Sequence, residues 1–434
     1  MKLQNHISTI SWTVANKLLY VIYGFIFLIQ ISILTPDDFA LFSLLLAINT
    51  WIFIICDAFA LQIIIQYGFE ENKERQSNTY SLILHIAISM VFSYIVFLIG
   101  KPLSNAFNEP RFIEVSNYLP ILSLLMIPRT YFSKYLIKNQ KMKSLFFVDL
   151  FFFGVFTALI LYYKFVYNEM NFAQSVNIYF IGTIFSSIVA FITSRKFLKF
   201  GLKGDFKFAD ILYFSVPYTL SNTLMAIPRQ LDIVILKFFF DLKTVGIYQA
   251  ARSIFRLFEE GINAANTLIY PALVKHFKNG NREEAYLIAT KGISFLFLAF
   301  VLISLALPFG LSEFLIKLFL KSTYLDSIYY FNFLLISSLF IPFFISYFVL
   351  TSADYHRTLL KNVIFSVIVS MIFYLVIGYY KIESMIPTAY ISFFASLAIL
   401  NYFVMKNKIF KGLKINFIFR SITDSFAFIK KVIK

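Results

Sequence analysis

Apolar runs of roughly 20 residues or more, the length that crosses a bilayer core as one helix, recur along the whole chain. Within lipid each backbone polar group must find its partner inside the segment, which selects helices for runs of this length. The sequence therefore reads as an all-α polytopic membrane protein. Only 14% of its residues are charged, against about 25% in soluble domains. Twelve spans are read, at 9–34, 39–66, 80–100, 116–136, 145–166, 176–195, 209–240, 244–274, 286–310, 328–351, 359–380 and 385–405.

The chain is strongly basic, with a net charge of +16. Nucleic acid is one explanation of such a charge; membrane topology is the simpler one. With the N-terminus inside, 26 of the 39 Lys and Arg fall in inner segments, eight in outer ones and five inside spans. That split obeys the positive-inside rule and places both termini in the cytoplasm. No nucleic-acid partner is then required. The abundance of Phe, Ile, Lys, Asn and Tyr points to an AT-rich, bacterial genome. No cleavable signal peptide is read, and the single cysteine, Cys56, excludes an intrachain disulfide.

Two six-helix bundles are expected, at 1–198 and 209–405, joined by a basic cytoplasmic linker at 199–208. A shift of 206 residues lays Asn16 on Asn222, Leu18 on Leu224, and Phe39-Ala40-Leu41-Phe42 on Val245-Gly246-Ile247-Tyr248. Parallel repeats of this kind occur in transporters. Residues 406–434 carry an apolar helical face flanked by Lys and Arg, the pattern of an amphipathic helix on an anionic inner leaflet. Thr35-Pro36-Asp37-Asp38 is a helix start: N-cap, proline at the first position, acids in the first turn. The alternative is an acidic metal pair, which no other acid or His accompanies.

Charges inside spans cost roughly 2.5–3.5 kcal/mol each at the helix centre, so each needs a partner or a wet cavity. The bases are Lys17, Arg129, Arg229, Arg252 and Arg256; the acids counted are Asp57, Asp232, Glu259 and Glu260, for a net of +1. Arg252, Arg256, Glu260 and Asn263 share one helical face. They form either a packing ion network or a polar stripe lining a cavity, with arginine as binder of phosphate or carboxylate. Arg229 and Asp232 lie one turn apart and can pair. Pro217 and Pro228 are read as hinges in the seventh span, and Pro128, next to Arg129, repeats the device in the fourth. Arg129 either snorkels with Lys134 or faces the cavity. Asp57 is read as the isolated acid of the second span, able to exchange a proton or to partner Lys17. His85 is expected to be a packed, hydrogen-bonded histidine.

No Gly-rich phosphate loop, HExxH, GxSxG or paired-Cys motif occurs. The chain is therefore expected to be no enzyme, to hold no cofactor or metal, and to transport without its own nucleotide hydrolysis. Leu34-Thr35-Pro36-Asp37-Asp38-Phe39-Ala40-Leu41-Phe42 resembles the L-x-P-x-x-(F/Y)-G-x-(F/Y) motif of the Wzx-type polysaccharide flippases, with Ala40 where glycine is usual. Asp232 through Val245-Gly246-Ile247-Tyr248-Gln249-Ala250-Ala251 resembles their D…(L/V)-G-x-Y-x-x-A. These flippases belong to the MOP exporter superfamily, with the MATE drug exporters and the lipid II flippases.

The resemblance implies a flippase for undecaprenyl-pyrophosphate-linked oligosaccharide repeat units, rocking two six-helix bundles about a cationic cavity. Arg252, Arg256, Arg229, Arg129 and Lys17 would hold the sugar or pyrophosphate. Asp57, Glu260, Asp232 or Glu259 would couple H+ or Na+. Membrane lipids, the lipid-linked oligosaccharide and a polysaccharide polymerase are the implied partners, in O-antigen, capsule or exopolysaccharide synthesis. The alternatives are a MATE-like small-molecule exporter and, against the short outer loops, a polytopic polymerase.

Overall fold

The second span begins where its sequence says it should. Thr35 is the N-cap, its hydroxyl accepting from the Asp38 backbone N–H at 3.2 Å, and Pro36 opens the helix. Asp38 takes a hydrogen bond from the Thr35 hydroxyl and an ion pair from Arg111 at 2.5 Å. These acids serve a helix start, as the capping rule requires.

The computed structural model describes residues 3–68, 71–203, 215–216, 219–220, 222–305 and 310–411. Pro217, the side chain of Glu260, residues 204–208 of the linker and residues 412–434 of the expected tail lie outside the described residues. Among the described residues there is no β-strand. The helices are α1 (Leu3–Ile33), α2 (Pro36–Cys56), α3 (Gln62–Gln66), α4 (Glu71–Leu98), α5 (Gly100–Ala106), α6 (Phe112–Lys138), α7 (Met142–Val166) and α8 (Phe172–Ser194). They continue with α9 (Asp232–Lys237), α10 (Leu242–Lys278), α11 (Arg282–Leu305), α12 (Leu311–Phe319), α13 (Ser327–Ser337), α14 (Ile345–Ser352), α15 (His356–Tyr379) and α16 (Ile386–Val404).

Among the described residues, eight stretches are long and apolar enough to cross a membrane, nine if the pair Ser327–Ser337 and Ile341–Ser352, bent by 48°, is one span. These nine match nine of the twelve expected spans. The other three are 116–136, 209–240 and 244–274. The first and third coincide with α6 and α10, which have the length but are interrupted by charged residues; much of 209–216 lies outside the described residues.

The contacts divide the chain into two units, Met1–Gly246 with Phe319–Thr323, and Ile247–Leu318 with Tyr324–Lys434. The division falls at Gly246, past the 199–208 linker where the sequence places it, because the 227–231 segment and α9 pack on α2. In unit 1, α7 packs on both α1 and α8, α6 on α8 and α4, and α2 on α4 and α6. The span Pro36–Gln66 is the central one: 72% of its most apolar stretch is buried, against 17–44% in the other spans. Hydroxyls join the helices, as in Asn49 to Ser123 at 3.3 Å and Ser187 to the Leu125 carbonyl at 3.0 Å. Gly246 meets the start of α2 so closely that a Cβ there would stand 2.0 Å from the Pro36 carbonyl oxygen. Only glycine allows that approach.

In unit 2, α15 packs along α16, and α11, α13 and α14 lie against α16 or the turn that precedes α14. Leu273, Tyr286, Ile293, Val349, Leu359 and Met405 belong to one buried apolar cluster there.

Candidate functional site

Asp149 is the residue that the charge pattern did not single out. It sits in α7 within Phe-rich sequence, on the span 145–166, and raises the intramembrane acids to five against five bases. The expected excess of one positive charge therefore disappears. Its carboxylate is 5% exposed and accepts from three sources: Arg129 Nη2 at 2.8 Å, Asn16 Nδ2 at 3.1 Å and the Tyr20 hydroxyl at 3.3 Å. Arg129 is held as fully. Its Nε donates to Ser186 Oγ at 3.0 Å, and its guanidinium lies 4.2 Å from the Phe152 ring centroid. Ser186 in turn donates to the Val148 carbonyl at 2.9 Å. A buried charge pair of this kind needs every lone pair and proton occupied, and here α1, α6, α7 and α8 each supply a group. The sequence reading had Arg129 either snorkelling with Lys134 or facing a cavity. Instead it is a buried partner of Asp149.

Asp57 lies in a different setting. The Pro36–Gln66 span is interrupted at Asp57–Leu61 by a π-helical turn, a feature that clusters at functional sites. The Ser81 hydroxyl on α4 donates to the Ala60 carbonyl at 2.8 Å, supporting the widened turn. Asp57 Oδ1 pairs with Lys134 Nζ at 2.7 Å, yet its side chain stays 48% exposed. It is neither isolated nor bonded to Lys17. Lys17 is exposed, with its Nζ 5.9 Å from the Tyr20 ring. Helical spacing on α1 and α2 cannot show that α6, packed against α2, brings Lys134 to Asp57. Thr50, Phe53, Ile54, Asp57, Ala58 and Asn222 line a cavity of about 330 Å³. Asp57 thus presents a carboxylate to an open space, with an ammonium beside it.

The remaining candidates sit as follows. Ile227–Leu231 forms a second π-helical turn, with Pro228 its second residue. Pro228 is buried, Arg229 is partly buried and Asp232 is 1% exposed. Pro128 behaves otherwise: α6 runs through Pro120 and Pro128 as one α-helix without a π turn. On α10, Arg252 is 1% exposed, with its guanidinium 4.0 Å from the Tyr390 ring centroid; Phe255 meets the same ring edge-on at 6.2 Å. Arg256 is partly buried and Glu259 is buried. Desolvated cation–π contact of the kind Arg252 makes is worth about 2 kcal/mol. His85 is buried, with Nε2 2.8 Å from Thr130 Oγ1. Lys237, near the end of the expected span 209–240, is 3% exposed and donates to the Phe107 and Phe240 carbonyls at 3.0 and 3.4 Å.

A family model described as "Polysaccharide biosynthesis protein" matches residues 3–277. No curated protein sequence matches the chain. Solved structures do. The chain is similar to the inward-facing conformation of a multidrug resistance MATE family transporter of the MOP superfamily, with a TM-score of 0.73 and 15% identity over 88% of this chain and 92% of that one. It is similar to the lipid II flippase MurJ in an inward closed conformation, with a TM-score of 0.65 and 12% identity over 92% of this chain and 88% of that one. It is also similar to a MOP superfamily transporter from Pyrococcus furiosus Vc1 described as having a binding pocket of reverse polarity. There the TM-score is 0.58, with 15% identity over 91% and 93%. At such identities the likeness establishes a shared fold.

Proposed function

The chain belongs to the polysaccharide biosynthesis protein family and has the fold of the MOP superfamily transporters, and from these two facts we propose that it is a flippase for lipid-linked oligosaccharides. Its substrate would be an undecaprenyl-pyrophosphate-linked repeat unit, moved from the cytoplasmic to the periplasmic leaflet by alternating access. The product would feed a polymerase in O-antigen, capsule or exopolysaccharide assembly. The protein would sit in a bacterial inner membrane with both termini in the cytoplasm, as the distribution of Lys and Arg supports.

The observation that carries this reading is the family match over 3–277, a stretch that includes the Asp57–Lys134 pair and its cavity. A carboxylate that is half open and charge-paired across two helices suits the coupling of H+ or Na+: a cation arriving at Asp57 competes with Lys134 for the same oxygens. Lys134, released, is a donor for an anionic or hydroxyl-rich ligand. Arg229, Arg252 and Arg256 are proposed to hold the pyrophosphate or sugar. Glu259, Glu260 and Asp232 are the further ion-coupling candidates, and Pro217 and Pro228 the hinges. Arg129 and Lys17 are less suited: the first is engaged by Asp149, the second is exposed beside Tyr20.

The test is complementation of a flippase-null strain in the native sugar pathway, scored by surface polysaccharide and by lipid-linked repeat units trapped on the inner leaflet. The wild-type chain should restore the polymer and clear the trapped units. No restoration, with resistance to cationic drugs conferred instead, would replace this reading with that of a small-molecule exporter.

A further inference from the structure

A second cavity, of about 470 Å³, lies wholly within unit 2. It sits where membrane segments end: α11 begins at Arg282, α14 ends at Ser352, α15 begins at His356, and the segment after α16 reaches Lys408. All these ends lie on one membrane face. The bases on the same loops and helix ends, Lys275, Arg282, Arg357, Lys361, Lys406 and Lys408, mark it as the inner face by the positive-inside rule. The buried cluster around Leu273, Val349 and Met405 closes the cavity towards the interior of the unit.

The lining chemistry is that of a phosphate site. Arg282 and Lys408 are exposed at the cavity, and among the described residues neither side chain makes a hydrogen bond or ion pair. The Ser352 hydroxyl, buried in the lining, has no hydrogen-bond partner among them either. Tyr355 and Tyr270 add phenols of the type that favours the headgroup zone. One carboxylate faces the cavity. Asp354, in the left-handed region at φ 60°, is paired with His356 Nε2 at 3.4 Å. The two bases outweigh it by one charge with His356 neutral. Glu283 and Glu284 follow Arg282 in the same turn but are not part of the lining.

An arginine fork, a lysine point charge and a free hydroxyl around one opening are complementary to a phosphate group. At the inner face of a membrane the abundant phosphate with a net negative charge belongs to anionic lipid, and basic pockets between helices at this depth take such headgroups. We propose that this cavity binds the headgroup phosphate of an anionic lipid of the inner leaflet. The site stands apart from the flippase reading and does not depend on it.

The experiment is thermal unfolding of the full-length chain in detergent, titrated in separate arms with short-chain phosphatidylglycerol, phosphatidylcholine and inorganic phosphate. Phosphatidylglycerol should raise the unfolding midpoint of the wild type. In the double variant Arg282→Gln/Lys408→Gln the concentration needed should rise about tenfold. Asp354→Asn should act in the opposite sense, lowering that concentration by about threefold, because asparagine keeps the positive φ and removes only the opposing charge. The basic residues beyond Lys408 attract the same lipid in every variant, so the difference between variants isolates the cavity. Equal titrations for wild type and double variant would overturn the proposal. Stabilisation by inorganic phosphate equal to that by phosphatidylglycerol would overturn the lipid assignment. Should the double variant fail to fold, Asp354→Asn decides alone: an unchanged titration overturns the proposal.

Discussion

Asp149 and Asp57 are both carboxylates inside the helix bundle of unit 1, and both answer to a base on α6. They differ in everything else. Asp149 is 5% exposed and has three donors, two of them on α1. Asp57 is 48% exposed, has Lys134 as its ion-pair partner, and sits on a widened turn beside a cavity. The first arrangement is a knot: removing either charge leaves the other uncompensated in a dry place. The second is open on one side: the Asp57 carboxylate borders the cavity while Lys134 is 14% exposed, as Arg129 is. The comparison teaches that intramembrane charge has two uses here. One pair ties α1, α6, α7 and α8 together; the other borders a cavity.

The sharpest way to break the comparison is Arg129→Ala. It should cost about 3–5 kcal/mol, seen as loss of protein from the membrane fraction and early thermal unfolding in detergent. Replacing both partners, Arg129→Met with Asp149→Leu, should recover most of that loss, since no charge is then stranded. If Arg129→Ala were instead folded but dead in transport, the knot would be a binding site. Next comes Asp57→Asn, which should cost less in unfolding than Arg129→Ala, because the amide oxygen still accepts from Lys134 and the site opens on a cavity. Its transport rate should fall at least about tenfold, with the response to an imposed proton or sodium gradient blunted. A gradient response identical to wild type would remove Asp57 as the coupling site. Tyr20→Phe should then cost only about 0.5–1.5 kcal/mol, the worth of one hydrogen bond to Asp149. Lys17→Gln should be close to silent in unfolding, because its ammonium is exposed and lies only at the edge of cation–π range.

What the sequence disclosed was local. The Thr35–Asp38 cap is spelled out in consecutive residues, and the structure bonds them as the capping rule expects. Pro228 announces a disturbed helix, and a π-helical turn is found around it. Pro128 announces the same and none is found, because α6 absorbs the missing donor within a helix packed on α4, α2 and α8. Partnerships across helices were the illegible part. Lys17 and Lys134 are equally available to Asp57 on paper, and only the packing of α2 against α6 decides. Asp149 had a signal that was there to be used. A lone acid among phenylalanines is too costly to stand alone, and the preceding span carries a lone arginine at a comparable place. The aromatic side of Arg252 was hidden for another reason: Tyr390 lies far along the chain on α16, and nothing in α10 points to it.

The widened turn at Asp57–Leu61 has a consequence for the whole central span. A π turn holds one residue more than the α-helix on either side, so the two flanking segments are out of phase. Gln62–Gln66 is rotated by about 100° relative to where an unbroken helix from Pro36 would place it. The span is thus two reading frames joined by a slip, and the slip lies at the carboxylate. Deleting one residue there, such as Ala58, would let the turn close to a regular α-helix with Gln62–Gln66 still facing the neighbours they face now. Deleting one from the regular helix before it, such as Ala47, would instead turn the residues on one side of the cut by about 100° against those on the other. The span can lose a residue at the carboxylate and keep its angle; elsewhere it cannot.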